Sequence, residues 1–310
     1  MSRSATGEAE ASAIARVEAS GAGVPGPAVC PICASADTAV EYRVKGYDIA
    51  RCGACRAGFT VLSAEQRAAI PQVYDEGYYE GTRDSNYENY FETQAGRVRQ
   101  WTPIVERLFR GEAPRAILDV GCGGGFFLDT LGPRWRKEGT DISRVGIEFA
   151  RGRFPDHRFH LGRLAELDLP PASYDVVTMW HVVEHFLDPV EEFREVARAL
   201  KPGGYCVVET CNYDAWVRRL ADERWRFFIP PFHLFFFSPR SMSNLLERVG
   251  MTLVRTLPRG NPVNNWISVA RSDPAPARLA KKCLKAAGLV LSRVTRQGDM
   301  MVYVAGKRGG

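Results

Sequence analysis

The chain has 310 residues, 45% hydrophobic, 25% charged and 11% aromatic, with 41 Lys and Arg against 36 Asp and Glu for a formal net charge of +5. That is enough apolar material for one large domain or two smaller ones, and the balance excludes a disordered chain, a collagen or a disulfide miniprotein. No run reaches the ~18 apolar residues of a membrane span; the longest uncharged aromatic run, Phe227 to Ser238, has 12 residues and contains two prolines.

Residues 1–27 are rich in Ala, Gly, Ser and Glu, which predicts a disordered leader. The leader lacks the apolar block of a secretory signal, so a cytoplasmic location is the default expectation. Residues 28–60 hold half of the eight cysteines and two short strand patterns, VEYRV and IARC. Cys30-x2-Cys33 and Cys52-x2-Cys55 are separated by 18 residues, a spacing that predicts a zinc ribbon. Each pair forms a tight knuckle with two thiolates ~2.3 Å from one ion, and two knuckles complete a tetrahedron. Four thiolates leave no position for water, so this Zn2+ is expected to be structural. Two disulfides would compete only in an oxidising compartment.

Residues 61–110 predict a helical cap, SAEQRAAI and YFETQAGRVRQWTPIVERLF, around a tyrosine-rich loop from Tyr74 to Tyr90. Tyr78 or Tyr79 of that loop could stand near a bound acceptor. Over residues 111–310 the apolar runs AILDVGCG, RKEGTDI, DVVTMWH and YCVVETC alternate with the helical patterns FFLDTL, RVGIEFARGR and PVEEFREVARAL. This alternation predicts an α/β, Rossmann-like parallel sheet with helices on both faces. An aromatic insert at 213–240, the helix SPRSMSNLLERVG, a strand pair and a basic helix at 277–296 follow.

The segment AILDVGCGGGFFLDTL joins a strand to a helix through Gly121, Gly123 and Gly125, with Asp119 two residues before the first glycine. Glycine is required where a backbone turns sharply and passes close to a ligand. Asp141 follows Gly121 by 20 residues, at the end of the next strand, where an acid can accept both hydroxyls of a ribose.

These residues resemble the class I S-adenosylmethionine (SAM) methyltransferases, whose first motif reads D-x-G-x-G-x-G. The resemblance covers about residues 72–310. It implies that Asp119, Gly121, Gly123 and Gly125 pack against the methionine part of SAM and that Asp141 binds the ribose. DVVTMWHVVEH matches the fourth strand and the loop behind it, LKPGGYCVVETCN the fifth, and FHLFFFSPRSMSNLLERVGM a substrate-side block. The family's adenine-side acid is replaced by Arg163 after Gly162, which leaves the Leu164 backbone for the adenine. The resemblance also implies that His181 faces the amino-acid end of SAM.

Two branches are similar in finer detail. Ubiquinone O-methyltransferases carry an E-H pair like Glu184-His185, with an additional acid where His181 stands here, and some bind a divalent metal there. Zinc-ribbon deoxysugar C-methyltransferases share the four N-terminal cysteines and a histidine matching His233, although Phe232 replaces their preceding glutamate. His185 and His233 are therefore the candidate catalytic groups, because a histidine can exchange a proton near neutral pH. An ion pair steadying the loop competes at Glu184 and His185, and a core histidine packed among phenylalanines competes at His233. The expected function is methyl transfer from SAM to the oxygen, nitrogen or carbon of a small-molecule intermediate, such as a sugar or an apolar or phosphorylated compound. An RNA base methyltransferase and a non-enzymatic methyltransferase-like scaffold are the alternatives.

The positive charge is localised. Residues 1–110 carry 12 basic and 14 acidic side chains, residues 111–273 carry 21 of each, and residues 274–310 carry 8 basic and 1 acidic. A general affinity for nucleic acid is therefore not expected, since an RNA-docking zinc module should itself be basic. In the helix 277–296, Leu279, Cys283, Ala287, Val290 and Val294 share one face while Arg278, Lys281, Lys282, Lys285 and Arg293 line the other. Such a helix can meet an anionic membrane or a phosphorylated substrate; a solvated helix covering the sheet edge is the plainer expectation.

Overall fold

The computed structural model describes residues 28–70, 96–261, 263, 274–295 and 297–308. The expected leader and the tyrosine-rich loop lie outside them. The first elements are the antiparallel strands β1 (Thr38–Val44), β2 (Tyr47–Cys52) and β3 (Gly58–Val61), then the helix α1 (Ala64–Ala69). Ser63 and Gln66 start that helix with a capping box, in which each side chain satisfies the other's backbone N–H.

After the short helix α2 (Thr102–Glu106), strands and helices alternate: β4 (Arg115–Val120), α3 (Phe126–Asp129), β5 (Trp135–Asp141), α4 (Arg144–Arg153), β6 (Arg158–Leu161), β7 (Tyr174–Trp180), α5 (Pro189–Ala199) and β8 (Leu200–Cys211). The helix starts follow local chemistry. The Ser143 hydroxyl accepts Gly146 N–H at 3.1 Å, and Asp188 accepts Glu191 N–H at 3.0 Å just ahead of Pro189. The chain closes with α6 (Trp216–Ala221), β9 (Phe235–Phe236), α7 (Pro239–Arg248), β10 (Met251–Arg259), α8 (Ala275–Thr295) and β11 (Met300–Lys307).

The large sheet has the order β10-β11-β8-β7-β4-β5-β6. β6, β5, β4, β7 and β8 run parallel, and β11 lies antiparallel between β8 and β10. Alternate residues feed two cores: Leu118, Val177 and Val208 face one, and Ile117, Val176 and Val207 the other. Such double burial explains why β4 and β7 read as continuous apolar runs. The sequence expectation of a strand pair before the basic helix is revised. The helix interrupts the pair, because β10 finds its partner only after α8.

The cysteine module is fused to the insert. β9 adds a fourth strand to β1-β2-β3, pairing Phe235 with Phe59 and Phe236 with Gly58. The Thr60 hydroxyl donates to the His233 carbonyl at 2.9 Å, and Tyr213 OH to Glu41 at 2.6 Å. Ile49, Tyr213, Trp225, Phe228 and Phe236 form a shared aromatic core beneath it.

Candidate active site

A cleft of about 670 Å³ opens at the carboxyl ends of the parallel strands, lined by Asp119, Gly121, Asp141, Leu164, His181 and His185 among others. This is where an open α/β sheet places its ligand. Gly121, Gly123 and Gly125 have φ of +71°, +50° and +77°, a region that side chains disfavour. A Cβ on Gly121 would collide with Val182, and one on Gly125 would come within 2.8 Å of Phe159.

Asp141 organises the loop from the neighbouring strand. Its Oδ2 accepts Gly123 N–H and its Oδ1 accepts Ser143 N–H, both at 2.8 Å. A carboxylate oxygen takes more than one donor, so the same group can serve hydroxyls arriving from the cleft. Asp119 accepts the Thr178 hydroxyl at 2.6 Å. Burial pushes the Asp119 carboxyl up to about 8, with the charge of Asp141 adding to the effect. Gly162 has φ of +137° and donates to the Asp141 carbonyl at 2.9 Å. Arg163 beside it donates to the buried Glu192 at 3.0 and 2.8 Å. The Arg163–Glu192 ion pair lines this end of the cleft together with Gly162, Leu164 and Glu166.

At the other end His181 adopts φ of +59° and donates its N–H to the Glu209 carbonyl at 2.8 Å. Its ring lies 3.5 Å from Glu184 and 3.8 Å from Glu209. Burial pulls its pKa down, but the two carboxylates outweigh that and leave it raised. Glu184 falls to about 2, because its bond to His181 and the charges that the neighbouring histidines carry when protonated outweigh the cost of burial. Glu209 also accepts Trp101 Nε1–H at 2.6 Å, and Trp101 stacks on Trp180 at 4.9 Å. Sequence reasoning did not single out Glu209, Trp101 or Glu192. The signal for Glu209 was available: it is one charge inside the apolar run YCVVETC.

His185 lines the cleft and donates Nδ1–H to the Phe232 carbonyl at 2.8 Å. His233 stands behind it, ring centroids 4.9 Å apart, with its Nδ1–H on the Phe227 carbonyl at 2.9 Å. Burial lowers both, His233 to about 3, so both rings are neutral at physiological pH. Glu184, His185 and His233 each bring one ligand atom within 4.8 Å of the others, a nitrogen, nitrogen and oxygen set that a divalent metal accepts. Glu184 Oε2 and Trp180 Nε1 are buried without a hydrogen-bond partner among the described residues.

The second metal candidate lies outside the residues that line the cleft. The sulfurs of Cys30 and Cys55, and of Cys33 and Cys52, are 3.6 Å apart, and all four lie within 4.8 Å of one another. Four thiolates ~2.3 Å from one tetrahedral ion would stand about 3.8 Å apart, so the set fits zinc with little movement. Gly53 sits in the second knuckle where a Cβ would strike Asp37.

The profile of a methyltransferase domain matches residues 91–256, just over half of the chain. The chain belongs to the S-adenosylmethionine-dependent methyltransferases. It is 33% identical over 172 residues to a Mycolicibacterium smegmatis protein named as an S-adenosylmethionine-dependent methyltransferase, covering 55% of this chain and 62% of that one. It is 37% identical over 117 residues to the ubiquinone biosynthesis O-methyltransferase of Idiomarina loihiensis, covering 35% and 47%. These matches thus span about half to three-fifths of the relatives' lengths. A SAM-dependent methyltransferase from Archaeoglobus fulgidus superposes with a TM-score of 0.50 at 22% identity, covering 72% of this chain and all of that one, a likeness of fold. This methyltransferase has no helix among its described residues long and apolar enough to cross a membrane.

Proposed function

We propose that this methyltransferase transfers the methyl group of SAM to an oxygen, nitrogen or activated carbon of a small-molecule biosynthetic intermediate, and that Zn2+ on Cys30, Cys33, Cys52 and Cys55 is structural. One observation carries the reading: a single cleft runs from the Asp141-held glycine loop to His181 and His185. Bound SAM supplies an electrophilic methyl on a sulfonium. The chain's own work is then mainly positioning, since in-line displacement depends on holding the acceptor close and aligned.

In this reading Asp141 takes the ribose hydroxyls, and the glycine loop lets the backbone approach the methionine part. Leu164 faces the adenine, and His181, held between Glu184 and Glu209, faces the amino-acid end. The cationic tendency of His181 suits a carboxylate there. His185 reaches the cleft as a neutral imidazole and orients the acceptor or removes its proton. His233, packed against His185, is a positioning residue that fixes the ring from behind. The zinc module acts through β9: it holds the insert that carries His233.

Incubation of the full chain with methyl-labelled SAM and a metabolite extract, read by mass spectrometry, tests the function. A labelled small molecule that is absent without protein supports it. Label confined to RNA would replace it with a nucleic-acid role, and the absence of any labelled product would favour a non-enzymatic scaffold.

A further inference from the structure

Strand β8 carries a single charge in the apolar run from Tyr205 to Cys211, at Glu209, whose side chain is 1% exposed. Taking a carboxylate out of water is costly, and a well-packed apolar side chain of similar volume is often no less stable. Packing alone therefore does not account for an acid at this position. Its contacts lead to the cleft wall instead. The carboxylate accepts Trp101 Nε1–H at 2.6 Å through Oε2, which also lies 4.0 Å from Arg259 Nε, and its Oε1 is 3.8 Å from His181 Nε2. The Glu209 backbone carbonyl accepts the His181 N–H at 2.8 Å.

These contacts fix a wall that Glu209 does not itself form. Trp101, Trp180 and His181 line the cleft, and Glu209 is not among the residues that do. Trp101 stacks on Trp180 with centroids 4.9 Å apart and planes 5° from parallel, and its ring lies 6.2 Å from that of His181. Arg259 also donates to Gln100, the preceding residue of the same wall. His181 is held in the left-handed region at φ of +59°, a conformation that a residue with a side chain keeps only where its surroundings determine it. Glu209 meets that residue twice, through its carbonyl and its carboxylate.

We propose that Glu209 is a positioning residue for the amino-acid end of SAM: it holds Trp101 and His181 in the places from which they meet that end, and does not touch the cofactor itself. The inference rests on the assignment of this end of the cleft to the amino-acid part of SAM. The nucleoside part is held by other residues, Asp141 and the glycine loop that it organises. Loss of Glu209 therefore costs affinity for ligands that carry the amino acid and spares those that lack it.

Calorimetric titration of the full chain with two ligands separates the ends of the cleft. S-adenosylhomocysteine has the amino acid; 5′-methylthioadenosine has the nucleoside and the sulfur without it. Glu209→Leu should weaken S-adenosylhomocysteine by about tenfold or more and methylthioadenosine by less than about twofold. Glu209→Gln keeps an oxygen for the Trp101 N–H and should recover most of the lost affinity. Trp101→Phe removes the donor but keeps an aromatic ring on Trp180, so it should show the same selective loss in smaller measure, and it carries the test if Glu209→Leu does not fold. Equal weakening of both ligands by the folded variants, or no weakening of either, would confine Glu209 to a structural role and overturn the proposal. A wild type that binds the two ligands alike overturns it as well, whereas one that binds neither overturns the reading of the cleft on which it rests.

Discussion

Replacing Asp141 is the sharpest perturbation of the cofactor end of the cleft. In the protein each carboxylate oxygen accepts one backbone N–H at 2.8 Å, from Gly123 and Ser143. Hydrogen bonds to a charged group contribute about 1.5–3 kcal/mol each. Loss of two ribose hydroxyls from the carboxylate therefore weakens binding by about 3–6 kcal/mol, roughly a factor of 10² to 10⁴ in Kd. Asp141→Ala removes those contacts and also the two that shape the loop, so it falls at the upper end. Asp141→Asn keeps the shape but turns an NH2 toward one of the two N–H donors, which places it lower in the range and lowers melting temperature. Calorimetric titration with S-adenosylhomocysteine measures both variants. A folded Asp141→Asn protein that binds within twofold of wild type would refute the assignment of Asp141 to the ribose.

Other outcomes follow from the same geometry. The folded-state pKa of Asp119 lies at about 8, above its unfolded value, so its contribution is fully present below the unfolded carboxylate range and is lost as pH rises toward 8. Asp119→Asn should therefore gain stability over wild type at pH 8 and lose the advantage near pH 4; equal denaturation midpoints at both pH values would show that the acid is not held neutral. Elemental analysis of purified protein should find one zinc per chain, and Cys30→Ser should lose it. With the ribbon unfolded the β3–β9 pairing goes too, so turnover should fall at least tenfold while S-adenosylhomocysteine affinity holds within a few fold; a Cys30→Ser protein with wild-type melting temperature would contradict this. His185→Ala should reduce kcat by roughly 10²-fold or more if the acceptor must lose a proton. His233→Ala should reduce it less and His233→Gln should restore part of the loss, whereas full turnover by His233→Ala would remove its positioning role.

The parts of this protein written in contiguous residues were legible from the sequence. The two C-x2-C knuckles, the D-x-G-x-G-x-G turn and the alternation that builds the parallel sheet each depend on neighbours along the chain. The N-cap bonds of Ser63, Ser143, Asp188 and Ser238 are likewise contacts between near neighbours, each side chain accepting the N–H three residues on. What escaped depends on distant segments. The two-residue strand β9 has no periodicity of its own and exists only because β3 offers an edge. Trp101, His181 and Glu209 meet from three separate elements, and Arg163 is paired with Glu192 of α5 across 29 residues of sequence. The amphipathic pattern of α8 was visible, but which side faces the protein was not. Apolar periodicity gives a stripe, whereas Gly288, packed on Val263, and Asn261, bonded to the Lys285 carbonyl, decide what packs.

The most direct measurement is a crystal structure of the protein with S-adenosylhomocysteine. The ribose hydroxyls should sit on the Asp141 carboxylate and the homocysteine over Gly121 to Gly125, its amino-acid end at His181 and its sulfur directed to the His185 side of the cleft. Nucleoside bound outside this cleft, or in it with the ribose away from Asp141, would contradict the assignment of this site to methyl transfer.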